Sequence, residues 1–321
     1  MKIGVTVVST SVGVYLLIAH GLALLGPVEE PKNQVTDLNF NEIETSSEST
    51  PSLQTYEARD GTRLSYRSYQ SEADRVLVLL HGSGYHSRYL APLASRLADA
   101  GVATVYTPNM RGHGPNPEKR GQVDYIGQLE HDIDDLMAHI KMTHPNQPII
   151  LGGHSSGGGT VIRYAGGSGE HDIAKYLLIA PYIHHESDVN NSENGWANVS
   201  LPRMIGLSML NQIGLTYLNG QSVISFNMPE AYRDGTETLT YDYRLQTSMH
   251  PRSDFQSDIA GLDEETLVVA GTDDGSFHAK AYEEVFASNQ LVNVTILDGL
   301  SHFGILRDED AQKVMSEWIE D

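Results

Sequence analysis

Short apolar runs punctuate the chain from residue 53 onward, each leading into a turn and then into a segment of helical spacing. Val76–Leu80 ends at His81-Gly82-Ser83-Gly84, Val102–Tyr106 near Pro108 and Ile149–Leu151 at Gly152-Gly153. Tyr176–Ala180 ends at Pro181, Leu267–Ala270 at Gly271 and Val292–Leu297 at Asp298-Gly299. Runs this short, rich in Val, Ile and Leu and apolar at odd and even positions alike, predict parallel strands buried between helices. Between Gly121 and Pro145, Val123, Ile126, Leu129, Ile133, Leu136, Met137 and Ile140 form one stripe of a helix that Pro145 stops. Similar spacing at 87–100, 278–289 and 310–320 completes an alternation of strand and helix, which implies a mostly parallel sheet covered on both faces. Leu53–Ala58 and Arg63–Gln70 partly alternate instead, as an antiparallel edge hairpin turning at Asp60-Gly61.

Three stretches depart from this rhythm. Residues about 186–250 are too long for an ordinary loop and carry apolar clusters (Met204, Ile205, Leu207, Met209, Leu210, Ile213), so they read as a cap inserted over the carboxyl edge of the sheet. Residues 3–28 are 26 consecutive uncharged positions. That run is long enough to span hydrocarbon, and longer than the apolar region of most cleavable signals. Residues 1–27 are therefore expected to be a transmembrane anchor, with a cleaved signal as the alternative. Lys2 before the run and Glu29-Glu30 after it place the main domain on the extracytoplasmic side of the membrane, or free in that compartment after cleavage. Residues 28–52 hold six acids, one lysine and two prolines with no sustained apolar period, the composition of a tether. The folded domain is then 53–321.

Composition narrows the function. With 42 acidic against 21 basic residues the formal charge of the 321-residue chain is −21, which gives no electrostatic reason to bind nucleic acid. The absence of cysteine rules out disulfides, thiolate metal sites and a cysteine nucleophile.

The chemistry gathers at the carboxyl ends of the expected strands. Gly153-His154-Ser155-Ser156-Gly157 is a G-x-S-x-G between an expected strand and an expected helix. A sharp turn there strains the serine backbone and needs hydrogen-sized neighbours, and it holds the hydroxyl beside a helix N-terminus that favours developing negative charge. A serine hydroxyl needs a base, and the base needs an orienting acid. Asp273 or Asp274 after one strand and His302 after the last have the order along the chain that this fold uses. Two amide donors for an oxyanion are expected from Ser156 and from Ser83, whose preceding Gly82 lets the chain turn inward.

HGSGYHSRY (81–89), NMRGHG (109–114), GHSSGG (153–158), GTDDGS (271–276) and GLSHFG (299–304) together resemble the α/β-hydrolase superfamily. Within it they are most similar to the monoacylglycerol lipase and lysophospholipase branch, over about residues 53–321. The resemblance implies an α/β-hydrolase fold with Ser155 as nucleophile, His302 as base and backbone N–H donors at Ser83 and Ser156. It also implies Asp274 as the acid, because the family's acid usually stands three residues after that glycine. Arg111-Gly112-His113-Gly114 becomes a structural loop beside the site. The chain departs from the family at Ser156, where Met is frequent, and in a cap that matches no specific member. The expectation is a serine ester hydrolase for lipid-type esters such as a monoacylglycerol or lysophospholipid. A peptidase or amidase of the same fold and an inactive membrane-tethered binding protein are the alternatives. No cofactor is required, and His184-His185-Glu186 is not expected to hold a metal, since adjacent histidines tend to diverge.

Overall fold

A computed structural model describes residues 2–26, 28, 36–43, 50–115, 117–167, 169–191 and 195–321. Along the chain come α1 (Lys2–Leu24), β1 (Gln54–Glu57), β2 (Arg63–Tyr69), β3 (Val76–Leu80), α2 (Ala91–Asp99), β4 (Thr104–Pro108), α3 (Gln128–Lys141), β5 (Ile149–His154), α4 (Ser156–Ala165) and β6 (Lys175–Ile179). Then follow β7 (Ala197–Val199), α5 (Leu201–Gln212), β8 (Ser222–Phe226), β9 (Thr240–Asp242), α6 (Tyr243–Ser248), α7 (Phe255–Ala260), β10 (Thr266–Gly271), α8 (Ala281–Val285), β11 (Val292–Leu297) and α9 (Glu309–Glu320).

The main sheet has the order β1-β2-β4-β3-β5-β6-β10-β11. Only the edge hairpin and its junction, β1 with β2 and β2 with β4, run antiparallel; the other neighbours are parallel. The continuous apolar runs have a simple origin. Successive side chains of a strand point to opposite faces, and both faces are covered. In β3, Val76, Val78 and Leu80 enter one core, while Leu77 and Leu79 enter the other. The first core contains Leu129, Ile133, Leu136, Met137 and Ile140 of α3 with Val161 and Ile162 of α4. The second contains Leu93 and Leu97 of α2 with Ala311, Met315 and Ile319 of α9.

Boundaries moved where glycine intervened. The stripe from Val123 does not begin a helix at its first residue: Gly127 sits at φ 102°, in the left-handed region, and α3 starts only at Gln128. The helix expected at 278–289 shortens to α8, and β4 lies two residues later than the apolar run suggested.

The cap contains α5, α6 and a three-stranded antiparallel sheet, β7-β8-β9, whose short strands the sequence pattern did not reveal. The second half of α1 packs on α5. Ala19 and Ala23 are fully buried, and a Cβ added to Gly206 would stand 2.3 Å from the Ala23 nitrogen, so the two helices touch backbone to backbone. Tyr15 Oη donates to the Met209 carbonyl at 2.8 Å and Ser200 Oγ to that of Gly26 at 2.5 Å. Among the described residues no helix is long and apolar enough to cross a membrane, so the transmembrane anchor expected over residues 1–27 is not found there. Of the expected tether, 29–35 and 44–49 lie outside the described residues. Residues 36–43 do not extend into solvent: Leu38 and Phe40 are buried in the second core.

Candidate active site

Ser155 stands between β5 and α4 at φ 57°, ψ −124°, one of two described non-glycine residues with positive φ. Crowding explains the flanking glycines. A Cβ on Gly153 would lie 2.3 Å from the Gly157 carbonyl carbon, and one on Gly157 would lie 2.5 Å from the Leu80 oxygen. Both are backbone collisions that no rotamer change relieves. The strained serine is pinned from three sides: its N–H donates to the Ile179 carbonyl at 3.0 Å, and its carbonyl accepts from Gly159 and Tyr182 at 3.1 and 2.9 Å.

Asp274, the acid that the family resemblance implies, and its neighbour Asp273 differ in position. Asp274 is buried, and its Oδ2 accepts from His302 Nδ1 at 2.8 Å. Its Oδ1 accepts from the N–H groups of Ser276 and Phe277 at 2.7 and 3.1 Å, so the carboxylate is held in one orientation. Asp273 is exposed, and among the described residues its carboxylate is reached only by the hydroxyl of Thr272 at 3.3 Å. Ser155 and His302 line one small cavity of about 10 Å³, together with Ser83, Tyr89, His154 and Phe303.

Two tyrosines shape the turn that carries Ser83. The Gly82 N–H donates to Tyr89 Oη at 2.6 Å, and the Gly84 N–H to Tyr241 Oη at 2.7 Å. Among the described residues the Ser83 N–H between them donates to no protein group, and Ser83 Oγ lies 3.0 Å from Ser156 Oγ. Each tyrosine proton goes on to an imidazole. Tyr89 Oη is 2.9 Å from His154 Nδ1, which leaves Nε2–H of His154 to donate to the His302 carbonyl at 2.9 Å. Tyr241 Oη is 2.6 Å from His113 Nε2, and His113 Nδ1–H donates to the Arg111 carbonyl at 3.1 Å. Burial, reinforced by His302 in one case and His81 in the other, pushes the pKa values of His154 and His113 well below 6.5, so both rings stay neutral and can accept. Nothing in the sequence pattern marked Tyr89, Tyr241 or His154 for these roles. Their hydroxyls and rings acquire meaning only when distant segments meet. Arg111, in the loop expected to be structural, forms a two-pronged pair with Asp132, Nε to Oδ2 at 2.8 Å and Nη2 to Oδ1 at 2.7 Å.

A larger chamber of about 420 Å³ also has Ser155 in its wall, together with Trp196, Val199, Leu201, Ile224, Phe226 and Phe277. The cap methionines divide. Met249 lines this chamber and Met228 the small cavity, whereas Met204 and Met209 pack against the core. His184, His185 and Glu186 are the one group among the described residues whose ligand atoms could meet on an ion, all within 4.8 Å of one another. The two histidines do not diverge: their rings lie 4.1 Å apart, and His184 also stacks on Phe255 at 5.4 Å.

The sequence profile of the family described as Hydrolase_4, serine aminopeptidase, S33, matches residues 71–310. The chain belongs to this family. It is 33% identical over 118 residues to a monoacylglycerol lipase of Mycolicibacterium smegmatis, an alignment covering 36% of this chain and 42% of that enzyme. The match thus spans less than half the length of that relative. Among solved structures, a soluble variant of monoglyceride lipase from Saccharomyces cerevisiae has a TM-score of 0.65 at 19% identity, covering 86% of this chain and 97% of that one. A monoacylglycerol lipase of Paleococcus ferrophilus has a TM-score of 0.60 at 20% identity, covering 81% and 99%. The α/β-hydrolase fold and the monoglyceride-lipase-like character expected from the motifs agree with these likenesses.

Two predictions follow from the buried polar groups. Tyr89→Phe leaves the Gly82 N–H and His154 Nδ1 without a partner, at about 1–3 kcal/mol each, so kcat should fall about 10–100-fold with KM nearly unchanged in steady-state kinetics. Burial also pushes His81 and His250 from 6.5 down to about 4 and His86 down to about 3. Because the unfolded chain takes up protons at these sites before the folded chain does, stability is lost as pH drops below about 6.5, by roughly 3 kcal/mol each for His81 and His250 and roughly 5 kcal/mol for His86 once each folded value is passed. Thermal melts between pH 7 and 4 should show a steep decline, made shallower by His250→Gln.

Proposed function

We propose that the protein is a serine ester hydrolase acting on lipid-type esters, a monoacylglycerol or lysophospholipid, through an acyl-enzyme on Ser155. The observation that carries this reading is the buried Asp274–His302 hydrogen bond at the wall of the cavity that Ser155 also lines. His302 takes the Ser155 proton as Oγ attacks the acyl carbon, and the N–H groups of Ser83 and Ser156 receive the resulting oxyanion. The tetrahedral intermediate then expels the alcohol, which leaves with the proton from His302. Water, deprotonated by the same imidazole, attacks the acyl-enzyme and frees the carboxylic acid. Asp274 keeps Nδ1 protonated and stabilises the imidazolium.

The apolar walls of the 420 Å³ chamber support an acyl chain as its occupant. A peptidase or amidase reading is favoured by the family's description as a serine aminopeptidase. Against it, the described residues lining the chamber include no carboxylate to balance a substrate amine, and an unpaired ammonium in such a chamber is costly. Ser155→Ala should lower hydrolysis of a medium-chain p-nitrophenyl ester by on the order of 10⁴-fold or more and abolish labelling by a fluorophosphonate. A labelled wild type that cleaves aminoacyl amides but not esters would establish the amidase instead. A wild type that takes no label would leave a binding protein.

We also infer attachment to a membrane through residues 3–28, with the hydrolase domain on the extracytoplasmic side. The uncharged run supports it, as does a surface on which α1 and α5 both turn apolar side chains outward. Leu17, Ile18, Leu24, Leu201, Ile205 and Ile213 are each half exposed or more. The full chain should stay with the membrane pellet after alkaline carbonate washing. Recovery in the soluble fraction of a form lacking the first ~25 residues would show a cleaved signal.

A further inference from the structure

The small cavity beside Ser155 is closed by a segment from outside the family-matched residues 71–310. Leu38, Phe40 and Ile43 line it, opposite His302 and Phe303. Phe40 is 3% exposed, and its ring lies between those of Trp196, Tyr232 and Phe303, at centroid distances of 5.5, 5.6 and 5.8 Å. The segment is tied down on all sides of the ring. The Glu42 carboxylate accepts from Ser301 Oγ at 2.5 Å, one residue before the imidazole, and the Glu42 carbonyl accepts from Arg307 Nε at 2.7 Å. Asn41 Oδ1 accepts from Tyr232 Oη at 2.6 Å, and the Asp37 backbone lies so close to Gly275 that a Cβ there would stand 2.7 Å from the Asp37 oxygen. The acid loop, the base loop and the cap therefore all hold this segment.

The two cavities flanking Ser155 differ in their chemistry. Ser83 lines both; Ser156 lines only the large chamber, and His302 only the small one. A general acid must reach the departing oxygen, so the alcohol half of an ester belongs on the His302 side. We propose that Phe40 determines specificity by limiting the size of the leaving alcohol: its ring fills the alcohol side, confines the free space there to about 10 Å³, room for about one water-sized group, and so selects small alcohols over extended head groups. The proposal rests on the ester-hydrolase reading above and names the half of the substrate that the reading left open.

The test compares full-length wild type, Phe40→Leu and Phe40→Ala on decanoate esters that differ only in the alcohol: methyl, glyceryl, benzyl and glycerophosphocholine. The expected result is a rise of about tenfold or more in kcat/KM for the benzyl and glycerophosphocholine esters relative to the methyl ester in Phe40→Ala, with Phe40→Leu intermediate. A relative alcohol profile that stays the same in both variants overturns the proposal. So does a parallel loss on all four esters in both variants, which would make Phe40 a packing residue only. Fluorophosphonate labelling separates the two readings. A wild type that takes the label and turns over the methyl ester while the profile ignores Phe40 sinks this proposal alone; one that does neither sinks the hydrolase reading as well.

Discussion

Around Ser155 three stretches of backbone approach more closely than any Cβ permits, and the rest of the site depends on that crowding. The end of β5, the first turn of α4 and the end of β3 meet at Gly153, Gly157 and Leu80, with Gly82 close behind: its added Cβ would stand 3.0 Å from that of Ser155. A serine at φ 57° carries a conformational cost of about 1–3 kcal/mol. Two buried cores, one on each face of the sheet, hold β3 and β5 in register and so keep the turn from relaxing. The same contact that strains the serine brings the Ser83 turn to its side.

Buried neutral imidazoles then serve as crosslinks. His81 accepts from the Met110 N–H and donates to the Gly82 carbonyl. His113 joins Arg111 to Tyr241 of the cap, and His154 joins Tyr89 to the carbonyl of His302. Each ring uses one nitrogen as donor and the other as acceptor, an arrangement open only to the neutral form, and burial enforces that form. The turn that carries Ser83, the serine and the base loop are thereby linked through side chains that need not touch the substrate. Cap strand β9 takes part as well, since Tyr241 holds Gly84, while Thr238 just before the strand donates its N–H to the Gly84 carbonyl. The cap is thus a wall of the large chamber and a support for the Ser83 turn.

The N-terminal region shows how composition and placement can part. Residues 36–43 sit in an acidic, proline-flanked stretch with no periodicity, yet a few side chains dock them. Phe40 finds three aromatic partners, and Glu42 finds Ser301 and Arg307. A short segment can be ordered by a few strong tertiary contacts that leave no trace in local pattern.

Residue spacing alone determined the alternation of strands and helices, the double-faced burial of the sheet, the strand–Ser155–helix turn and the chain order of serine, acid and histidine. Those features are local or strictly periodic, so steric and hydrophobic rules act within a few residues of one another. Residue spacing left Asp273 and Asp274 open and only the family resemblance implied Asp274; in the tertiary structure, burial and the N–H groups of Ser276 and Phe277 distinguish these sequence neighbours. Tertiary structure also decided the partners of Tyr89 and Tyr241, the short strands of the cap, the packing of α1 on α5 and the docking of Phe40. Each of those depends on groups up to 265 positions apart, as with Glu42 and Arg307, and no local pattern encodes a contact that exists only after the chain has closed on itself.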